Sequence, residues 1–100
     1  MCHNNPASST GPAKALVHSR VTRRHPELTE RDVLAAWQRT IEFIHRADTG
    51  QWVVIGPAPD GRMVEMVAEK LPQGWLIYHA MTQPTRKTTT EIRAVRRRTR

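Results

Sequence analysis

The chain has a single cysteine, a single tyrosine, a single phenylalanine and only five glycines among its 100 residues. Cys2 stands alone near the N-terminus, so neither a disulfide framework nor a paired-cysteine zinc pattern can be assembled. No apolar run approaches the roughly 18 residues required to cross a bilayer. The opening MCHNNPASSTGP lacks both the basic and the apolar segment of a secretion signal. A soluble cytoplasmic protein with no membrane partner is therefore expected. There is no nucleophile elbow, no glycine-rich phosphate loop and no HExxH, and nothing in the sequence asks for a metal or a cofactor. Acid is scarce as well, with nine Asp and Glu against sixteen Lys and Arg. Residues 84–100 carry seven basic residues against Glu91 alone, so six of the net +7 sits at this end. Such an excess points to nucleic acid, an anionic surface or an acidic protein as partner. The surface role is the weakest of the three, because the basic end lacks the apolar face of a membrane-lying helix.

What the chain does have is centred on Gly50 to Thr82. Three short apolar runs there, QWVVI, MVEMVA and WLIYHAM, are rich in β-branched and aromatic residues. Asp60-Gly61 and Leu71-Pro72-Gln73-Gly74 separate them, which predicts a three-strand antiparallel meander. In the last strand, simple alternation puts Trp75, Ile77, His79 and Met81 on one face and Leu76, Tyr78 and Ala80 on the other. Upstream, residues 1–12 are polar and read as a disordered tail. Residues 13–25 admit either one helix or a short edge strand at Lys14 to Val17 followed by a brief helix capped by Ser19. The second reading is preferred, and His25-Pro26 ends the element in both. Thr29 and Asp32 form a capping box, and Leu28 and Val33 a hydrophobic staple. Val33, Trp37, Ile41 and Ile44 then recur at helical spacing, which predicts one long helix from about Glu30 to about His45. Thr85 to Val95 suits a short last helix, and residues 91–100 an arginine-rich tail.

The remaining polar kit suits a phosphodiester. RNA cleavage needs a base for the 2′-hydroxyl proton, an acid for the 5′-oxygen and cations for the charge on phosphorus. Histidine fills either proton role near neutrality, and arginine grips phosphate in a bidentate manner. Each candidate also has a plainer reading. His79, among Trp75, Ile77 and Met81, would more commonly be an interior histidine, and Tyr78 a strand aromatic. His18 and His25 can serve as helix-end residues, and His45 suits a helix C-terminus. Trp37 belongs to the core; Trp52 and Trp75 can stack bases but more commonly pack.

The phrase from His25 to Leu34, preceded by His18-Ser19-Arg20 and followed by the strand ending Tyr78-His79-Ala80-Met81, resembles the small bacterial toxins of the BrnT and RelE superfamily. The likeness spans about residues 14 to 90. It implies an α+β domain over residues 13–90: two helices packed on one side of a small antiparallel sheet, the three-strand meander with a short N-terminal edge strand. It also implies a metal-independent endoribonuclease that halts translation, acting on RNA that includes ribosome-bound mRNA. Its partner would be a cognate antitoxin, through which operator DNA is bound. On this likeness the catalytic set is His18, His25, Tyr78, His79 and Lys87. The RNA-binding set joins Arg20 to the basic residues Arg23, Arg24 and Arg86 and to Arg96, Arg97 and Arg98 of the tail, which is more arginine-rich than the family's pattern. The competing expectation is a non-catalytic basic module that holds nucleic acid or an acidic partner.

Overall fold

The computed structural model describes residues 14–98, with side chains through Val95. The tail expected over residues 1–12, and the side chains of Arg96, Arg97 and Arg98, lie outside the described residues. The elements are β1 (Lys14–Val17), α1 (Ser19–Arg24), α2 (Glu30–Gln38), β2 (Glu42–Arg46), β3 (Gln51–Pro57), β4 (Met63–Leu71), β5 (Gly74–Thr82) and α3 (Arg86–Arg98). The domain is α+β. Five strands form one sheet in the order β1-β5-β4-β3-β2. β1 runs parallel to β5, and every other neighbour is antiparallel. The expected meander and its N-terminal edge strand are therefore present, β2 adds a fifth strand at the other edge, and the described residues form three helices rather than two.

The extra strand β2 comes out of the predicted long helix. The capping box at Thr29 and Asp32 forms in both directions, at 3.0 and 3.1 Å, and Leu28 and Val33 are fully buried. The helix nevertheless stops at Gln38, where the Arg39 N–H reaches back to Ala35 and Ala36. Ile41-Glu42-Phe43-Ile44-His45 is a β-branched and aromatic run that pairs with β3 from Glu42 opposite Ile55 to Arg46 opposite Gln51. Ile41 and Ile44 had fallen into phase with Val33 and Trp37 by coincidence of spacing. Ile41 is instead 58 % exposed, and Ile44 is buried against a different set of neighbours. The Asp48-Thr49-Gly50 signal marks a hairpin turn, with Gly50 at φ +77°, and not a helix end.

Alternate residues of the central strands feed two cores. Val54, Val64, Met66 and Ile77 pack with Val21, Leu28, Val33 and Trp37 from α1 and α2 and the segment joining them. Val53, Ile55 and Ile44 pack with Ile92 of α3. Because successive strand residues point to opposite faces, α3 covers the side of the sheet that α1 and α2 leave open. This corrects the expectation of helices on one side only. α3 is fastened at its start: Thr85 Oγ1 accepts from the Thr88 N–H at 3.2 Å, while Glu65 Oε1 accepts from the Thr85 N–H at 2.9 Å. A carboxylate from β4 thus completes the capping arrangement, at the helix end that favours negative charge. None of the described helices is long and apolar enough to cross a membrane.

Candidate active site

The site begins with an irregularity. β4 and β5 pair Val67 with His79 and then Ala68 with Ile77, so β5 carries one extra residue at Tyr78. A bulge of this kind re-aims the side chains around it. Its effect here is to put Ala80, rather than His79, back into the core with Trp75 and Ile77. The predicted face of Trp75, Ile77, His79 and Met81 is therefore broken after Ile77. His79 and Tyr78 are left half-buried.

α1 is laid against this bulge. The His18 N–H donates to the Ile77 carbonyl at 2.8 Å, carrying the parallel edge straight into the helix. His18 itself is the N-cap, its Nδ1 accepting from the Arg20 N–H at 3.1 Å; this corrects the assignment of the cap to Ser19. Arg20 Nε donates to the Tyr78 carbonyl at 3.2 Å, and its guanidinium lies 5.8 Å from the centre of the Tyr78 ring. That is cation–π distance. At the other end of α1, His25 stands edge-on to His79 with ring centres 6.2 Å apart, and its Nδ1 is 3.4 Å from Glu27 Oε2.

Burial lowers the His79 pKa below its ordinary 6.5. Nearby Glu65 opposes that shift, and His25 and the positive charges of Arg24 and Arg20 reinforce it. A neutral imidazole at physiological pH is the state a proton acceptor needs. His18, Arg20, Arg24, His25, Tyr78 and His79 are thus brought to one end of the sheet. Arg23 is exposed in the last turn of α1, and none of the hydrogen bonds or ring contacts described above involves it. Arg86 and Lys87 lie exposed on the first turn of α3, where the charge of Lys87 acts on Glu91. They are not among the charges that act on His79.

Four polar residues without a motif to announce them support the site from the α3 side. Glu91 takes a two-pronged grip from Arg46, at 2.7 and 3.1 Å. Arg46 Nη1 donates to Gln51 Oε1 at 3.1 Å, and Gln51 Nε2 donates to the Tyr78 hydroxyl at 2.7 Å. The Arg46 hydrogen bond holds the Glu91 carboxyl below its ordinary range, and the Arg46 guanidinium is correspondingly raised. The fourth residue is Glu65, 5 % exposed. Its place between Val64 and Met66 on a strand was the one available clue, since an acid between two apolar neighbours there faces either solvent or a helix end.

The tryptophans belong elsewhere. Trp37, Trp75 and Trp52 form a chain with 5.5 Å between successive ring centres, and Trp52 is covered by His45, stacked at 4.3 Å. His45, on β2, is a strand residue and not a helix-end one. Among the described residues no group of three or more His, Cys, Asp or Glu is arranged to hold a metal.

Fold and site together define a class: a small α+β domain with a mixed five-strand sheet, carrying three histidines, a tyrosine and arginines at a bulged strand. No family model, no curated protein and no solved structure matches the chain.

Proposed function

We propose that the chain is an RNA-cleaving toxin of the BrnT and RelE kind, neutralised by a cognate antitoxin. The observation that carries this reading is the half-buried His79, with its lowered pKa, 6.2 Å from a second imidazole and within reach of the Arg20 and Arg24 charges. In the reaction His79 takes the proton of a ribose 2′-hydroxyl, and the 2′-oxygen attacks phosphorus. The bond to the 5′-oxygen breaks, and His25 supplies that oxygen with a proton. The products are a 2′,3′-cyclic phosphate and a 5′-hydroxyl. Arg20 and Arg24 hold the phosphate, and Tyr78 orients it. Arg86 and Lys87 contact the strand further along.

The test is cleavage of mRNA by the purified protein, with and without ribosomes, compared with His79→Asn. General acid–base catalysis contributes about 10²- to 10⁴-fold, so loss of His79 should cost on that order. RNA left intact in both settings, together with harmless expression in the absence of an antitoxin, removes the proposal.

A second reading, binding without turnover, is favoured by one observation: α3 exposes Arg86, Lys87 and Arg93 and continues into three further arginines. On this reading, replacing Arg96, Arg97 and Arg98 by Gln lowers affinity and flattens its salt dependence by about 0.7 per lost contact on single strands. Cutting the chain at residue 91 would not make this test, because Ile92 is core.

A further inference from the structure

The geometry points to Gln51 as a positioning residue that leaves the Tyr78 hydroxyl hydrogen free to be given to a phosphate oxygen of RNA. The inference rests on the site reading above and adds a residue to it. An amide side chain has one accepting and one donating end, and its orientation follows from its neighbours. Gln51 Oε1 is engaged by Arg46 Nη1 at 3.1 Å and by Thr49 Oγ1 at 3.3 Å. Arg46 has only hydrogens to offer, so the oxygen must face it and the NH₂ must face Tyr78. The 2.7 Å bond therefore runs from Gln51 Nε2 to the phenol oxygen. The phenol accepts, and its own O–H is left to donate. Arg46 is in turn locked by the two-pronged contact with Glu91, so the direction of every bond in the row is fixed from the carboxylate onward.

A near-isosteric change reverses this polarity. In Gln51→Glu, the carboxylate has no hydrogen to give and accepts from both Arg46 and Tyr78, so the tyrosine hydrogen is consumed inside the protein. The new ion pair with Arg46 keeps the variant folded. Gln51→Leu removes the bond but leaves the hydroxyl hydrogen free. Tyr78 is the only tyrosine in the chain. Its ring carbon bonded to oxygen therefore gives a single, unambiguous NMR signal.

The experiment has two arms. In the first, single-turnover RNA cleavage is measured for the unaltered protein, Gln51→Glu, Gln51→Leu and Tyr78→Phe. The Gln51→Glu rate is expected to fall about tenfold or more, to the Tyr78→Phe level, as expected for loss of a hydrogen bond to a charged group. The fall appears in the maximal single-turnover rate and not in the protein concentration that half-saturates it, and Gln51→Leu keeps more activity than Gln51→Glu. In the second arm, a 2′-O-methyl RNA oligonucleotide, which cannot be cleaved by this route, is titrated while the Tyr78 signal is followed. The signal moves in the unaltered protein and stays still in Gln51→Glu. Where the unaltered protein cuts RNA, Gln51→Glu cutting at the same rate overturns the inference; so does a Gln51→Glu signal that moves like the unaltered one, or a Tyr78 signal that ignores the oligonucleotide. If the signal responds as stated but no RNA is cut, the ribonuclease reading fails while the positioning role of Gln51 stands.

Discussion

Gly56→Ala tests the packing that joins α2 to the sheet, and its cost can be worked from the structure. Gly56 lies in β3 opposite Val64, beneath the last turn of α2. A Cβ added there would land on the Ala36 carbonyl oxygen, 3.0 Å from the Ala36 carbonyl carbon and 3.2 Å from the Arg39 oxygen. All three atoms are backbone, so no rotamer change relieves the clash and the end of α2 must lift. Overpacking costs about 1–3 kcal/mol, and a backbone obstacle puts this case near the top of that range. Restricting the unfolded chain returns about 0.4–1 kcal/mol. The net is about 2 kcal/mol, and at roughly 4–8 °C per kcal/mol for a domain this size the midpoint should drop by about 8–16 °C. Gly61→Ala is the comparison: nothing lies within 4 Å of its added Cβ, and only the positive φ of 92° is strained. That position should cost about 1 kcal/mol. Thermal unfolding followed by circular dichroism reads both variants. A Gly56→Ala midpoint at or above that of Gly61→Ala would refute the proposed contact between α2 and β3.

Further outcomes follow from the site and its supports. Glu91→Gln should lose about 0.5–1 kcal/mol at neutral pH, since both partners of the ion pair remain partly exposed. Glu91 has a depressed folded pKa, so its contribution is complete above the ordinary value of 4.5 and is lost as pH falls through the lower folded value. Denaturant titrations across acid pH should show that increment in the unaltered protein and not in the variant. The cleavage rate should rise with pH along a limb whose midpoint lies below 6.5, because burial lowers His79; a limb centred above 6.5 speaks against His79 as the base. Glu65→Ala strips the Thr85 N–H of its acceptor and should cost about 1–3 kcal/mol, with amide exchange quickening first along α3. Uniform loss of protection across the sheet would show that Glu65 does something other than fasten that helix.

Much of the frame was legible because its signals are local. The capping box at Thr29, the turn at Asp60-Gly61 and the three central strands each depend on residues within a few positions of one another. The edge strand Lys14–Val17 and the brief helix after it could also be read, since a proline closes the segment. Two kinds of information lie outside such patterns. One is pairing: Glu42 to Arg46 becomes a strand because β3 is there to receive it, and spacing alone allowed the helix to continue through Ile41 and Ile44. The other is registry: nothing local announces that β5 carries an extra residue, so alternation led from Ile77 to His79 when the core continues at Ala80. The site was partly legible for the same reason. His18, Arg20, His25, Tyr78 and His79 were nameable from their chemistry. Arg46, which holds Gln51, meets Glu91 only across a separation of 45 positions along the chain.

Tyr78 touches the products of both ends of the chain. Arg20 reaches it from the first helix, and the row through Gln51 and Arg46 ends on the last. One ring therefore acts as a coincidence detector: it is fully held only when the two terminal helices are both seated. A partner that pried up α3 would loosen the tyrosine without approaching the histidines, whereas one that lifted α1 would carry His18 and His25 away with it.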